Sequence, residues 1–364
     1  MVCLGIPSTK LTFLLLVILC LVFPGTARTG EKSPRGYFYK DLDYGSESQF
    51  NPLSSMINWT FDTLQVPASF SDNQLQERWN TVWKNLTNPG QAVESTGGWL
   101  AFINRQVFPY KMSEMDWIPN YTLHLFGGGL VYRKNAEWLE AKGAPFPRLS
   151  AAVLCMMAEV AQEVVEKGTT RPDDEVADVF IFRPLGILLF SFDSVARYSA
   201  NTLHFAEWPF QPMYDPSALN SSGARGKFTN VGENFVLRPN YFGLKEHRPF
   251  IFFGMTVLAG LSHKISMSDS LSWGVGAAIV QTQDPRKTRM SGGLFWDRND
   301  SLLASVIFNG TDNLAVRLNI YPGIVGPRKW WSPGLYVGIG DRGEFNVGLT
   351  IRLLPVGLAK IGNS

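Results

Sequence analysis

Four ionisable residues, His124, Glu159, Glu163 and Asp178, stand in otherwise apolar stretches of this chain. Glu159 and Glu163 are four apart, so on a helix both carboxylates share one face. Ala152, Val153, Leu154, Met156 and Met157 precede them, and Val176-Ala177 and Val179-Phe180 flank Asp178. An ionisable group in apolar surroundings is costly unless it finds a partner. These four are therefore expected to converge. One chemistry open to them is a divalent metal held by His124, Glu159, Glu163 and Asp178. Another is acid/base catalysis by His124, Glu159 and Asp178, with a carboxyl whose pKa is raised. The plainer reading is helix capping and satisfied buried hydrogen bonds, with Glu163 exposed beside Glu166 and Lys167.

Other motifs offer less. Gly127-Gly128-Gly129 has neither a preceding strand nor the Lys-Ser/Thr of a phosphate loop, and points to close helix packing. Ser194, Ser199 and His204 lack a nucleophile elbow. Cys155 is the one cysteine outside the first twenty residues, too few for a disulfide or a cysteine metal cage.

Helices must position the four residues. Gln74–Asn85 has Leu75, Trp79, Val82 and Trp83 on one face. Tyr121–Lys142 is apolar and interrupted at the three glycines. Leu149–Lys167 is a strong helix, capped by Ser150 and ended by Gly168. Glu175–Tyr198 breaks at Pro184-Leu185-Gly186.

From Phe228 the period changes to two. Eight strands are expected: Phe228–Arg238, Phe250–His263, Leu271–Gln281, Met290–Asp297, Leu302–Asn309, Leu314–Tyr321, Gly334–Asp341 and Phe345–Leu354. In the last, Phe345, Val347, Leu349, Ile351 and Leu353 share one face, and Asn346, Gly348, Thr350 and Arg352 the other. In an outer-membrane barrel the apolar face meets lipid and the small or polar face lines the lumen. In a soluble sandwich the apolar face would meet a core. Trp208-Pro209-Phe210, Trp296 and Trp330-Trp331 suit interfacial anchors.

The N-terminus reads as an export signal. Lys10 precedes the apolar run Leu11–Phe23, and Gly25-Thr26-Ala27 supplies a cleavage site. The net charge of +2 over 364 residues, without a basic stripe, excludes nucleic-acid binding.

His124 ahead of Gly129-Leu130-Val131-Tyr132-Arg133-Lys134-Asn135, then Glu159 and Glu163, then Asp178 and Pro184-Leu185-Gly186, resembles a family of Gram-negative envelope proteins of unknown function. That family joins a membrane-embedded helical hairpin bearing a His, Glu and Asp signature to outer-membrane strands. A more distant similarity is to VanZ-like helical proteins. The resemblance spans about residues 119–240. Here Ala177 stands where the family has Asn, and Ile187 follows Gly186 where the family has Gly-Glu.

The expected fold is α+β: an N-terminal helical region and a C-terminal antiparallel β-meander closed as an eight-stranded outer-membrane barrel. The expected division is a signal peptide at 1–27, a flexible leader at 28–50, helices at 51–212, a barrel at 226–355 and a tail at 356–364. The expected role is structural, lipid-handling or interacting, at the outer membrane, with membrane lipid and an envelope protein as partners. The alternatives are a membrane-embedded enzyme acting on a lipid or cell-wall precursor, and a soluble periplasmic β-protein. The sequence gives no ligand and no oligomeric state.

Overall fold

The computed structural model describes residues 36–62, 75–108, 119–166, 171–219, 225–238, 247–253, 257–264, 271–281, 288–311, 314–325, 331–340 and 343–362. The expected signal peptide lies outside them, as do Gly168 and Trp330.

The fold is α+β. The helical region comprises α1 (Gly45–Gln49), α2 (Pro52–Thr60), α3 (Leu75–Thr87), α4 (Pro89–Ser95), α5 (Gly98–Phe102), α6 (Gly128–Ala141), α7 (Pro147–Glu166), α8 (Asp174–Ala177), α9 (Arg183–Ser191) and α10 (Asp193–Asn201). Three π-helical segments, Ile103–Val107, Asn120–Gly127 and Asp178–Phe182, join or extend these helices.

Helix α6 is the hub. Leu130, Val131 and Leu139 are buried in a core with Trp59, Leu123, Leu154 and Phe190. Its polar residues are buried too, so each needs a partner. Lys134 Nζ lies 2.5 Å from Glu47 Oε1 and 2.6 Å from Glu207 Oε2. Glu137 accepts from Arg133 Nε at 2.8 Å and from the backbone N–H groups of Phe38 (2.8 Å) and Tyr39 (2.9 Å). The flexible leader is thereby corrected: residues 36–50 are pinned on α6, and Phe38, Tyr39 and Phe50 are buried.

Three helix expectations change. Ser150 does not cap α7; it lies inside the helix and its hydroxyl bonds to the Pro145 carbonyl at 3.3 Å. The three glycines do not interrupt their helix. The break after α8 is not at Pro184, which sits in the first turn of α9 where its missing N–H is harmless. It comes at Phe192, where the chain bends by 88°. On α3 the face that packs inward is Arg78 and Val82, while Trp79 and Trp83 stack on each other at the surface. Among the described residues no single helix is long and apolar enough to cross a membrane.

The second half is one sheet of thirteen described strands rather than eight: β1 (Ala206–Glu207), β2 (Met213–Leu219), β3 (Arg225–Thr229), β4 (Phe235–Leu237), β5 (His247–Phe253), β6 (Val257–Lys264), β7 (Leu271–Gln281), β8 (Thr288–Arg298), β9 (Ser301–Thr311), β10 (Leu314–Ile320), β11 (Pro333–Ile339), β12 (Phe345–Ile351) and β13 (Gly357–Ile361). The pairing order is β1-β4-β5-β6-β7-β8-β9-β10-β11-β12-β13-β2-β3, antiparallel except where β13 pairs parallel with β2. Strand β13 falls in what was expected to be a tail. The expected strands Phe228–Arg238 and Phe250–His263 each resolve into two. Between the β1–β4 and β2–β3 pairs, Trp208 N donates to Asn234 O at 2.7 Å and Phe210 N to Gly232 O at 2.8 Å.

The faces of this sheet are inverted relative to a soluble core. The register places Ser262, Gly274, Phe295, Ser305, Asn319, Tyr336, Gly348 and Ala359 in one cross-strand row, and all are buried. The adjacent row is Leu261, Val275, Leu294, Val306, Leu318, Val337 and Val347, none of them buried. Leu349 on β12 is 59 % exposed while Thr350 beside it is 2 % exposed.

Candidate functional site

The helical region brings three of the four expected residues into direct contact. His124 stands on the Asn120–Gly127 π-segment, Asp178 opens the next π-segment and Glu159 is midway along α7. His124 Nδ1 lies 2.6 Å from Glu159 Oε1, and its Nε2 lies 3.6 Å from Asp178 Oδ2. Wide π-turns re-aim side chains and are frequent at functional sites. Glu163 was expected at the surface on the plainer reading; it is 1 % exposed, one turn along from Glu159.

Two partners were missed. Arg183 Nε lies 2.9 Å from Glu159 Oε2, and the guanidinium stacks on the Trp59 ring at 3.8 Å. Trp59 Nε1 donates to the same Glu159 oxygen at 2.8 Å, and its ring meets His124 edge-on. The signal for Arg183 was present: a lone cation inside Val179-Phe180-Ile181-Phe182-Arg183-Pro184-Leu185 must have an anion.

The glycines make room. A Cβ on Gly128 would collide with the Arg183 guanidinium, and one on Gly186 with the Leu125 carbonyl. The Gly186 collision is with backbone, which has no rotamer to yield. Gly186→Ala is expected to cost about 1–3 kcal/mol by overpacking. Chemical denaturation of the helical region measures it, with Gly90→Ala, where an added Cβ meets nothing within 4 Å, as control.

Burial disfavours every charge here, but partners decide the outcome. For His124, burial pushes the pKa down, while the Asp178 and Glu159 carboxylates outweigh it and lift it to about 10. Burial pushes Glu159 up, but Arg183 and His124 hold it below the usual carboxylate range. Burial raises Asp178 and Glu163 well above that range, and neighbouring acids add to it. Glu166 rises to about 7, by burial first. Glu163 Oε2 and Asp178 Oδ1 have no hydrogen-bond partner among the described residues.

Acids raised in the fold bind protons that the unfolded chain releases, so their contribution falls as pH climbs from the carboxylate range through the raised values. His124 contributes fully below its ordinary 6.5 and loses that as pH rises through about 10. Both effects share a sign. Unfolding free energy should therefore drop on the order of 3 kcal/mol between pH 6 and pH 9 from His124 alone. Denaturant titrations at each pH test this, and Glu163→Gln should raise stability at pH 9 and flatten the slope.

Chemically, the cluster is a Glu159 carboxylate held between Arg183 and His124, beside acids whose pKa values burial raises. Both His124 nitrogens face carboxylates, and His124, Glu159 and Asp178 are almost fully buried. Among the described residues no three His, Cys, Asp or Glu side chains are placed to hold a metal ion.

The chain matches no family model, no curated protein and no solved structure. Of the expected interfacial anchors, Trp208 and Phe210 are buried, whereas Trp331 is exposed. Trp208 instead donates its indole N–H to Asp300 O at 2.8 Å, and Phe210 lies under Arg317 at 4.4 Å.

Proposed function

We propose that this is an outer-membrane-integrated envelope protein with a structural or lipid-handling role, its sheet spanning the bilayer and its helical region seated on one rim. The observation that carries the reading is the continuous outward row of Leu and Val across seven strands, beside an inward row of Ser, Asn, Gly and aromatic residues. In water such a face would associate or aggregate; in lipid it is the required solvent-facing side.

Closure of the sheet into a barrel belongs to this reading. Segments 206–219 and 225–237 act as the two arms of one long hairpin, tied at both ends and in the middle. One arm pairs with β13 and the other with β5, which supports a sheet brought round on itself, although β1 and β3 each have a single neighbour in the strand order. The helical region adds exposed Leu100, Phe108, Leu185, Leu188 and Phe192 for the interface, where Trp79, Trp83 and Trp99 also suit. The His124–Glu159–Arg183 cluster then serves as the buried electrostatic lock of that region. The resemblance to envelope proteins agrees with this location.

Extraction of the expressed mature protein from a Gram-negative host tests the reading. Outer-membrane recovery only with detergent, and faster gel migration before boiling than after, are the expected results. A soluble periplasmic protein with no heat-dependent shift would overturn it.

A further inference from the structure

A cavity of about 380 Å³ opens where the leader, the end of α6 and the β12–β13 connection meet. That size is in the range of small-ligand pockets, roughly 300–1,000 Å³. Its walls are of two kinds. Phe50, Leu53 and Trp138 make an apolar wall, extended by Leu353. Lys142 and Arg352 bring two cations to the same cavity.

Glu47, which also reaches the cavity, shares buried Lys134 with Glu207. Asp41 accepts the Tyr39 hydroxyl at 2.7 Å and faces Lys142 Nζ at 3.6 Å, so a single carboxylate answers Lys142. The Arg352 guanidinium has no ion pair among the described residues, while its backbone N–H is fixed to Ser332 O at 3.1 Å. Arg352 therefore brings a guanidinium with no direct ion pair, within the field of Asp41, to the edge of an apolar slot. Lys142 also lies 5.8 Å from the centre of the Trp138 ring, and Tyr39 packs on Phe50 at 6.1 Å, so aromatic side chains frame the space.

We propose that this cavity binds a single-chain anionic amphiphile, its carboxylate or phosphate head on Arg352 and Lys142 and its alkyl chain along Phe50, Leu53 and Trp138. Arginine suits a planar or tetrahedral oxyanion through its forked donors. The apolar wall excludes a bare inorganic anion as the preferred occupant, because burying the alkyl chain supplies affinity of about 0.8 kcal/mol per CH₂. The inference goes beyond the membrane reading: the cavity lies between leader, helix and turn, and would bind whether or not the sheet spans lipid.

Isothermal titration of the purified mature protein with octanoate, octyl phosphate, octanamide and inorganic phosphate tests it. The short chains remain monomeric in solution. Octanoate or octyl phosphate should bind, and which is tighter tells a carboxylate from a phosphate head. Octanamide, uncharged but of the same length, should bind at least about tenfold more weakly, the equivalent of one charge-assisted hydrogen bond. Arg352→Gln should weaken the anionic ligands by a similar factor, and Leu53→Trp, which fills the slot, should abolish their binding. Both changes lie at partly exposed positions, and unfolding midpoints check that each variant is folded. Equal binding of octanamide and octanoate would overturn the role of the cations. Inorganic phosphate binding as well as octyl phosphate, unaffected by Leu53→Trp, would reduce the site to an anion patch and overturn the amphiphile. No binding of either anionic chain would overturn the proposal outright.

Discussion

Replacing Arg183 with methionine should cost the helical region about 3–5 kcal/mol, the usual penalty for stripping one partner from a buried ion pair. Arg183 is fully buried, and its Nε is 2.9 Å from a Glu159 oxygen. Methionine fills much of the volume over the Trp59 ring, so the loss is electrostatic rather than a cavity. What remains is a buried Glu159 supported by His124 and the Trp59 N–H. Arg183→Lys should rescue only part, since an ammonium cannot both stack flat on Trp59 and reach Glu159. The pairwise origin of the effect shows in a double-mutant cycle: with Glu159→Gln already present, Arg183→Met should cost less by about 0.5–3 kcal/mol. Additive losses would mean that the guanidinium acts through packing on Trp59 alone. Denaturant unfolding in mild detergent, followed by aromatic circular dichroism, reads the wild type and every variant.

How much of this was legible beforehand depends on whether the determinant is local. Strand alternation needs only neighbouring residues, so Leu271–Gln281 and the starts at Leu314 and Phe345 were read from period two alone. Splits such as that between β5 and β6 were not, because the residues between them, Gly254-Met255-Thr256, carry one lone glycine inside a largely apolar run and no turn dipeptide. Which face would be buried was also illegible, since the same alternation serves a core and a bilayer. Strand β13 was missed although it pairs with its neighbour β12, because Gly357–Ile361 is only five residues long and follows Pro355; its other partner, β2, lies far back in the chain.

The leader was misread for a similar reason. Its Gly, Ser and charged residues look mobile, yet its backbone is held by Glu137, 98 and 99 residues away. At the site, the convergence of His124, Glu159 and Asp178 followed from the cost of isolated buried charge. The same argument, applied to Arg183, would have completed the set. Glu163 was misjudged because Glu166 and Lys167 made its end of α7 look solvated, whereas its own side faces the other buried acids.

Placing arginine at Val275 should separate lipid from water more sharply than any change within the helices. Val275 is near the middle of β7, an eleven-residue strand, and is 45 % exposed between Leu261 and Leu294. If this face meets a bilayer, an arginine near the midplane costs about 2–4 kcal/mol, and less toward either rim. If it meets water, a surface substitution stays within about 0.5 kcal/mol. The row itself supplies the control: it ends on β13 at Lys360, opposite Val347, and that charge is already exposed. Lys360→Arg should therefore be neutral in either solvent. Refolding into lipid vesicles across a urea series, read by the heat-dependent gel shift, should give Val275→Arg a lower midpoint and Lys360→Arg an unchanged one. Equal midpoints for wild type and Val275→Arg would mean that this row is wetted, and the sheet would then need a protein partner over its apolar face. A deficit at Val275 would mean that the row meets lipid there, while the charge already present at Lys360, at the end of the row, reaches water through its long stem.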